Sequence, residues 1–230
     1  MNGDLTLTIV GHPDHGLPYG KLPRMLLAWL SRHAQLTRSR LITLGPVRAD
    51  LLHQLGLSST GGRTGTIRAV DDQLLRLLKS TVHIDWNTER RTEWRPFQVS
   101  AGLSLWRDRS ESSGGRYWIE LSQPFFDEVI ERSVPLDFAT LRALRSPLSI
   151  DLYAWATDRV FRLNRPTTIS WQSLQSQFGA EYTRSQDFRR AFILALGRVS
   201  LLWPQLRAKP TKKGLQLRPC AAHVSPRVRM

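Results

Sequence analysis

The sequence is poor in features that cross-link or anchor a chain. Cys220 is the only cysteine among 230 residues, so no disulfide can form within the chain, which fits a reducing compartment. No apolar run approaches the roughly 18 residues of a membrane-spanning helix. The N-terminus also lacks the basic and apolar regions of a signal peptide. We therefore expect a cytoplasmic protein.

Motifs for the common chemistries are also missing. The chain has no G-x-x-x-x-G-K-[ST] motif, and its glycine-rich segment 60–66 contains no lysine to contact a nucleotide phosphate. It has four tyrosines but no His-x-His motif, which argues against metal-dependent DNA nicking. His12 and His15 have no cysteine or third histidine near them, and no pair of catalytic carboxylates stands out. We predict no enzyme activity, no cofactor and no metal site.

Acidic residues are scarce relative to basic ones. The chain has 33 Lys and Arg against 19 Asp and Glu, a net charge of +14 with a pI near 11.2. A pI above about 9 is typical of nucleic-acid-binding proteins. Residues 151–230 carry 14 basic against 4 acidic residues, a net +10, and residues 1–150 carry the remaining +4. We expect an anionic partner attracted mainly by the second half; a charge that only aids solubility is the alternative.

Apolar residues are plentiful and periodic. Hydrophobic residues make up 41% of the chain, and we predict that the 8 tryptophans pack in cores rather than stack on single strands. Helices are predicted at 21–36, 47–55, 62–79, 124–131, 147–165, 171–178 and 184–201, and strands at 5–10, 41–44, 82–86, 93–105, 117–121, 167–170, 204–208 and 215–218. Residues 107–115 are predicted to form an exposed loop.

One local pattern occurs twice. A short amphipathic stretch ends in Gln54-Leu55-Gly56, and another ends in Gln177-Phe178-Gly179. Each is followed by a polar turn, a long amphipathic segment with arginines, and strand-like sequence. A short helix, a turn, a long helix and a hairpin follow one another in a winged helix-turn-helix, whose second helix enters the DNA major groove. We therefore predict an α+β fold with two tandem winged helix-turn-helix domains.

The second copy is the stronger candidate for DNA contact. Arg189 and Arg190 lie in the N-terminal half of the long helix, the part of a recognition helix that meets base edges, and arginine is the commonest reader of guanine. Lysines on the following hairpin are expected to contact phosphates. Gln186, Arg190, Ile193 and Gly197 are predicted on the face opposite the core. An ordinary solvated helix face is the alternative.

The first copy is rich in glycine. Segment 60–66 (TGGRTGT) would let backbone amides approach a phosphate at the start of a helix. A purely structural turn is an equal alternative, and Asp71 and Asp72 in the same helix would repel phosphates. The candidate DNA-binding residues are Gly61, Gly62, Arg63, Thr64, Thr66, Arg68 and Arg76 in the first copy, and Thr183, Arg184, Ser185, Gln186, Arg189, Arg190, Lys209, Lys212 and Lys213 in the second.

With these motifs placed, the sequence resembles the plasmid-encoded RepA replication initiators. The similar segments are 16–24 (GLPYGKLPR), 26–30 (LLAWL), 55–63 (LGLSSTGGR), 125–128 (FFDE), 146–148 (SPL), 151–155 (DLYAW), 177–179 (QFG) and 187–190 (DFRR). The resemblance implies an initiator that binds repeated double-stranded sites (iterons) at a plasmid origin and helps to open the adjacent duplex. It also implies recruitment of the host initiator DnaA and the replicative helicase. Related initiators bind origin repeats as monomers and repress their own promoter as dimers, so the resemblance implies the same two states here.

Together these features predict a protein of two domains. Residues 1–122 are predicted to form an N-terminal winged-helix domain with auxiliary DNA contact and a possible role in dimerisation. Residues 123–230 are predicted to form the main DNA-reading domain, which is also a winged helix. The protein starts plasmid replication without catalysis, in the bacterial cytoplasm. The alternative is a DNA-binding transcriptional repressor with no role in initiation.

Overall fold

The computed structural model describes residues 5–62, 65–88, 91–105, 117–179 and 182–224. The chain divides into two compact units, Met1–Ser133 and Val134–Met230, called here the first and the second unit. Over the described residues it forms eight helices and three small antiparallel sheets, so the predicted mixture of helices and strands is confirmed. No helix in these ranges is both long and apolar enough to cross a membrane.

The first unit combines helices with two sheets. The described helices are α1 (Leu22–Thr37), α2 (Arg48–Leu55), α3 (Thr66–Lys79) and α4 (Gln123–Arg132), and the strands are β1 (Leu5–Val10), β2 (Leu41–Thr43), β3 (Thr81–Thr88), β4 (Arg91–Gln98), β5 (Ser100–Ser104) and β6 (Trp118–Leu121). Helix α1 buries Leu26 and Leu30, and α3 buries Leu74. The sheet with strand order β2-β6-β5 adds the pair Ile42 and Ile119, which lie opposite each other and are fully buried.

The other sheet of the first unit, with strand order β1-β3-β4, is largely exposed. Strand β1 forms one edge, and the side chains of residues 6–10 are all exposed. Trp86 on β3 and Trp94 on β4 are 37% and 59% exposed. The prediction that the tryptophans pack in cores is therefore wrong for these two, because both lie on strands of this largely exposed sheet.

The second unit is built around one sheet and four helices of the described chain. Its elements are α5 (Phe138–Ala143), α6 (Pro147–Phe161), β7 (Thr167–Ser170), α7 (Trp171–Phe178), α8 (Ser185–Leu202), β8 (Ala208–Pro210) and β9 (Gly214–Leu217). Ser170 caps α7 through a hydrogen bond from the Ser173 N–H at 3.1 Å, as predicted. The core contains the fully buried Tyr153, Phe188 and Trp203.

The two units repeat one order of elements. Helix, strand, two helices and two strands occur as α1-β2-α2-α3-β5-β6 in the first unit and as α6-β7-α7-α8-β8-β9 in the second. In both sheets the last strand lies in the middle, giving the orders β2-β6-β5 and β7-β9-β8. Strands β3 and β4 are an insertion between α3 and β5 of the first unit.

Three element predictions are wrong. Helix α5 was missed because its six residues are too few to show a period. The strand predicted at 93–105 is two strands, β4 and β5, which join different sheets on either side of the buried Val99. The strand predicted at 204–208 begins at Ala208 instead, because a turn closed by the Leu206 N–H on the Trp203 carbonyl precedes it. The predicted loop 107–115 lies outside the described residues.

The domain limit between residues 122 and 123 stays a prediction, but helix α4 lies in the first compact unit, which ends at Ser133. Gln35 of α1 explains this, because its side-chain amide donates to the carbonyls of Val129 and Ile130 at the end of α4. By these limits the first unit has 17 basic and 14 acidic residues, a net +3, and the second has 16 and 5, a net +11.

The two glycines of the repeated Gln-apolar-Gly pattern serve different needs. Gly56 ends α2 in the left-handed conformation at φ 67°. Gly179 ends α7 at φ −104°, but a Cβ there would approach the carbonyl oxygen of Gln175 to 2.7 Å. Glycine is required by backbone conformation at the first position and by space at the second.

Candidate nucleic-acid interface

Helix α8 presents one buried and one exposed face. Its buried residues are Phe188, Phe192, Ala195, Leu196 and Val199, which confirms the predicted period. Gln186, Arg190, Ile193 and Gly197 are all exposed on the opposite face, as predicted. The Arg190 side chain forms no hydrogen bond or ion pair with any described residue. Its guanidinium, a planar donor of several hydrogen bonds, is therefore available to a partner.

The β8–β9 hairpin lies beside the N-terminal half of α8. Its turn is closed by the Thr211 N–H, which donates to the Gly214 carbonyl at 2.7 Å. Lys212 and Lys213 form the tip between these residues, and both are exposed. A Cβ on Gly214 would lie 1.9 Å from the Ile169 carbonyl oxygen of β7, so glycine is required for the hairpin to join the sheet.

Arg189 differs from Arg190 in its surroundings. It is half-buried, and its Nη2 donates to the Thr211 carbonyl at 3.3 Å. Its guanidinium carbon lies 4.9 Å from the centroid of the Trp171 ring, a cation–π contact. The two arginines, which were both predicted to contact DNA, therefore have different environments.

The outer face of the second unit's sheet is basic. Lys209 is exposed, as are Arg207 and Arg218, which the sequence predictions omitted. The Arg218 N–H donates to the Arg207 carbonyl at 2.9 Å, so these two residues are cross-strand neighbours. Leu215 and Leu217 of β9 are fully buried in the core. Arg218 could have been predicted from the alternation along β9 and the residue after it, because residues 216 and 218 lie on the face opposite Leu217.

The remaining candidates of the second unit lie at the start of α8. Arg184 is the N-cap residue, and its side chain makes no capping hydrogen bond. Thr183, Arg184, Ser185 and Gln186 are all exposed. Together with Arg190 and the hairpin lysines, they form a surface of polar and basic side chains at one end of the second unit, which we call the α8–hairpin surface.

The glycine-rich turn of the first unit is organised by its own contacts. Gly61 and Gly62 are exposed, and Gly62 has φ +95° with no atom near its missing Cβ. A Cβ on Gly65 would lie 2.3 Å from the Thr60 carbonyl oxygen. Thr66 donates its N–H to Thr60 Oγ1 at 3.1 Å. These contacts account for a tight turn at the start of α3; Arg63 and Thr64 lie outside the described residues.

The acidic residues of α3 are paired with arginines. Arg48 Nε contacts Asp71 Oδ2 at 2.8 Å, joining α2 to α3, and Arg76 Nε contacts Asp72 Oδ2 at 2.8 Å. Burial raises the pKa of Asp71, although Arg48 opposes the effect. The expected repulsion between these carboxylates and a phosphate is therefore reduced, because each carboxylate already has a cation beside it.

Arg76 and Arg68 have different roles in the first unit. Arg76 also donates to the Leu17 carbonyl at 3.3 Å and lies over the Tyr19 ring at 5.2 Å, so it holds the 17–19 loop on α3. Arg68 is exposed near the start of the helix. Of the two arginines predicted to contact DNA from this helix, Arg68 is the one with an exposed side chain.

The histidines do not form a metal centre in the part of the chain that the structure describes. His12 and His15 have ring centroids 5.2 Å apart, and Lys79 Nζ lies 3.1 Å from His15 Nε2. No group of three or more His, Cys, Asp or Glu side chains with a metal-binding arrangement occurs there.

A family model described as "Plasmid encoded RepA protein" matches residues 17–173, more than half of the chain. No curated protein matches the sequence. The matched region covers the first unit from Leu17 onward and ends within α7, so α8 and the β8–β9 hairpin follow it.

Proposed function

We propose that this protein binds repeated double-stranded sites at a plasmid origin to start replication, and the premise is that the chain belongs to the plasmid-encoded RepA family. The α8–hairpin surface carries the proposal. It brings Arg190, which has no hydrogen-bond or ion-pair partner among the described residues, together with polar side chains and two lysines, to one end of a unit with net charge +11. Such a surface suits base contact from the helix and phosphate contact from the hairpin.

Two winged-helix domains are part of the proposal. The shared element order and the shared sheet order of the two units support it, because each places a pair of helices before a hairpin. The second unit is proposed as the main reader. The first unit is proposed to add a weaker contact through Arg68 and the turn at Gly61 and Gly62, because Arg76 and both aspartates are already paired within it.

The direct test is competition binding. The full chain is titrated onto tandem repeats from its own plasmid origin in the presence of random duplex, and the repeats should be preferred by at least 10³-fold, a usual lower value for specific over non-specific sites. Equal affinity for both would refute the proposal. Maintenance of an origin plasmid by the gene supplied in trans distinguishes an initiator from a repressor without an initiation role.

Salt dependence tests the hairpin separately. Replacing Lys212 and Lys213 by alanine should reduce the slope of log K against log salt by about 1.8, which is about 0.9 for each lost phosphate contact. The matched control replaces Arg142 and Arg145 by alanine, which removes the same charge from exposed positions in and just after α5 of the same unit. Equal slopes in the two variants would show that total charge, and not the hairpin, sets the affinity.

The proposal also includes a homodimer formed through β1. An exposed edge strand is usually blunted by charge or proline, and β4 carries Glu93, Arg95 and Pro96 at its edge of the sheet. Strand β1 (LTLTIV) has no charge and no proline. Antiparallel pairing of two copies centred on Leu7 would set Leu7 against Leu7 and threonine against threonine, so apolar side chains would share one face.

The family resemblance supports further partners. We propose that the bound protein helps to open the origin duplex and recruits DnaA and the replicative helicase, with no catalytic step, cofactor or metal of its own. Because the proposed partner is plasmid DNA, the proposed location is the bacterial cytoplasm.

A further inference from the structure

We infer that Arg189 positions the β8–β9 hairpin against α8 and does not read a base. The inference rests on the proposed function, since it assigns a role within the same DNA-binding surface. It also separates two adjacent arginines that sequence alone treats as a pair of readers.

The geometry centres on one carbonyl oxygen. The Thr211 carbonyl accepts a hydrogen bond from Arg189 Nη2 at 3.3 Å and a second from Trp171 Nε1 at 3.0 Å. Arg189 belongs to α8 and Trp171 begins α7, so both helices hold the same point of the hairpin. The Trp171 ring is in turn packed edge-on against the fully buried Phe192, with centroids 5.8 Å apart.

The held carbonyl immediately precedes the lysines. Thr211 also closes the turn, because its N–H and its Oγ1 both lie within hydrogen-bond distance of the Gly214 carbonyl, at 2.7 and 2.9 Å. Lys212 and Lys213 are therefore the only two residues between two fixed points. Because Thr211 is held against α8, the backbone positions from which the two lysine side chains extend are also held relative to α8.

Arginine suits this role in a way that lysine does not. A guanidinium can stack on an indole through its flat face while its edge donates a hydrogen bond, whereas an ammonium group has no flat face. The cation lies 4.9 Å from the Trp171 ring centroid, and this contact draws the group away from solvent. Arg190, one position on, is exposed and remains the candidate base reader.

Positioning has a measurable consequence for binding. A lysine contributes a phosphate contact only when the hairpin holds it near the backbone of the duplex, and one such contact is worth about eightfold in affinity at 0.1 M salt. Releasing Thr211 should therefore remove much of the benefit of Lys213 while leaving base preference unchanged.

A double-mutant cycle on the full chain tests the inference. Arg189→Met keeps an apolar stem on Trp171 but removes the charge and the donors. In wild type, Lys213→Ala should weaken repeat binding about eightfold at 0.1 M salt; in the Arg189→Met background the loss should fall below about threefold. The matched control is Arg190→Met, in which Lys213→Ala should keep its full effect and preference should change at one base pair. If Arg189→Met itself changes preference at one base pair and Lys213→Ala keeps its full effect there, the inference is overturned.

Hydrogen exchange without DNA tests, independently of the proposed function, whether Arg189 restrains the hairpin turn that the Thr211 N–H closes on the Gly214 carbonyl. The Thr211 amide should exchange at least tenfold faster in Arg189→Met than in wild type or in Arg190→Met, with amides of the α8 core unchanged. Unchanged exchange at Thr211 would refute the positioning role. Faster exchange in a protein that fails to prefer origin repeats would refute the proposed function and leave the positioning role standing.

Discussion

Replacing Gly197 with alanine should stabilise the second unit. Gly197 lies within α8 on its exposed face, and a Cβ there meets no atom within 4 Å. Glycine in a helix interior costs roughly 0.5–1 kcal/mol relative to alanine, and no internal contact requires it at this position. The free energy of unfolding should therefore rise by about that amount, which corresponds to a rise of a few degrees in Tm for a unit of this size.

Gly214 supplies the opposite case in the same unit. A Cβ there would lie 1.9 Å from the Ile169 carbonyl oxygen, and the residue has φ +156°. Gly214→Ala must separate β9 from β7 at this end, and we expect a loss of about 2–4 kcal/mol from the clash and the backbone strain together.

Urea unfolding followed by circular dichroism measures both changes. Gly197→Ala should also leave affinity for origin repeats within about twofold, because base contacts come from the N-terminal half of a recognition helix. A destabilised Gly197→Ala, or a Gly214→Ala as stable as wild type, would refute this account of the two glycines.

Three further variants test separate features. Arg190→Ala should cost about 1–3 kcal/mol of binding free energy and relax the preference at one base pair. An unchanged preference in a binding-site selection would show that this face of α8 does not lie in the groove. Thr8→Lys should shift the protein to monomer in analytical ultracentrifugation, whereas Thr92→Lys on the opposite edge of the same sheet should not. A dimer that persists in Thr8→Lys would exclude β1 as the dimer interface. Asp137 caps α5 through the Thr140 N–H at 2.7 Å, and although burial opposes it, this bonding lowers the pKa of the carboxyl. Asp137→Ala should therefore cost about 1 kcal/mol at pH 7, and the difference from wild type should shrink as the pH falls through that lowered pKa; a difference independent of pH would contradict the role of the charge.

Local periodicity was sufficient for much of the fold. The buried face of α8 follows from the spacing of Phe188, Phe192 and Val199, and the cap at Ser170 follows from residue type and position. Helix α5 gave no such signal, because six residues do not complete two turns. The join between β4 and β5 gave no local signal either, because Val99 alone separates the two strands and only the tertiary fold assigns them to different sheets.

The site was less predictable than the fold because its key contacts are distant in sequence. Arg189 donates a hydrogen bond to Thr211, 22 positions later. The helical period places Arg189 at the flank of the face that carries Arg190, but it does not reveal this partner. Arg76 similarly meets Leu17, 59 positions earlier. Arg207 and Arg218 carried a detectable signal, since they follow the buried Leu206 and Leu217 within the predicted strands 204–208 and 215–218, but they were not named as candidates.

The uneven charge of the two units bears on how the protein would approach its proposed DNA partner. At 0.1 M salt the Debye length is about 10 Å, so an approaching polyanion responds to the summed charge of the nearest unit and not to single residues. With net charges of +11 and +3, the second unit should attract the proposed DNA partner more strongly during diffusion, and we expect that unit to make the first encounter. Charge changes in the second unit should therefore alter the association rate constant, whereas those in the first should alter mainly the lifetime of the complex once it has formed.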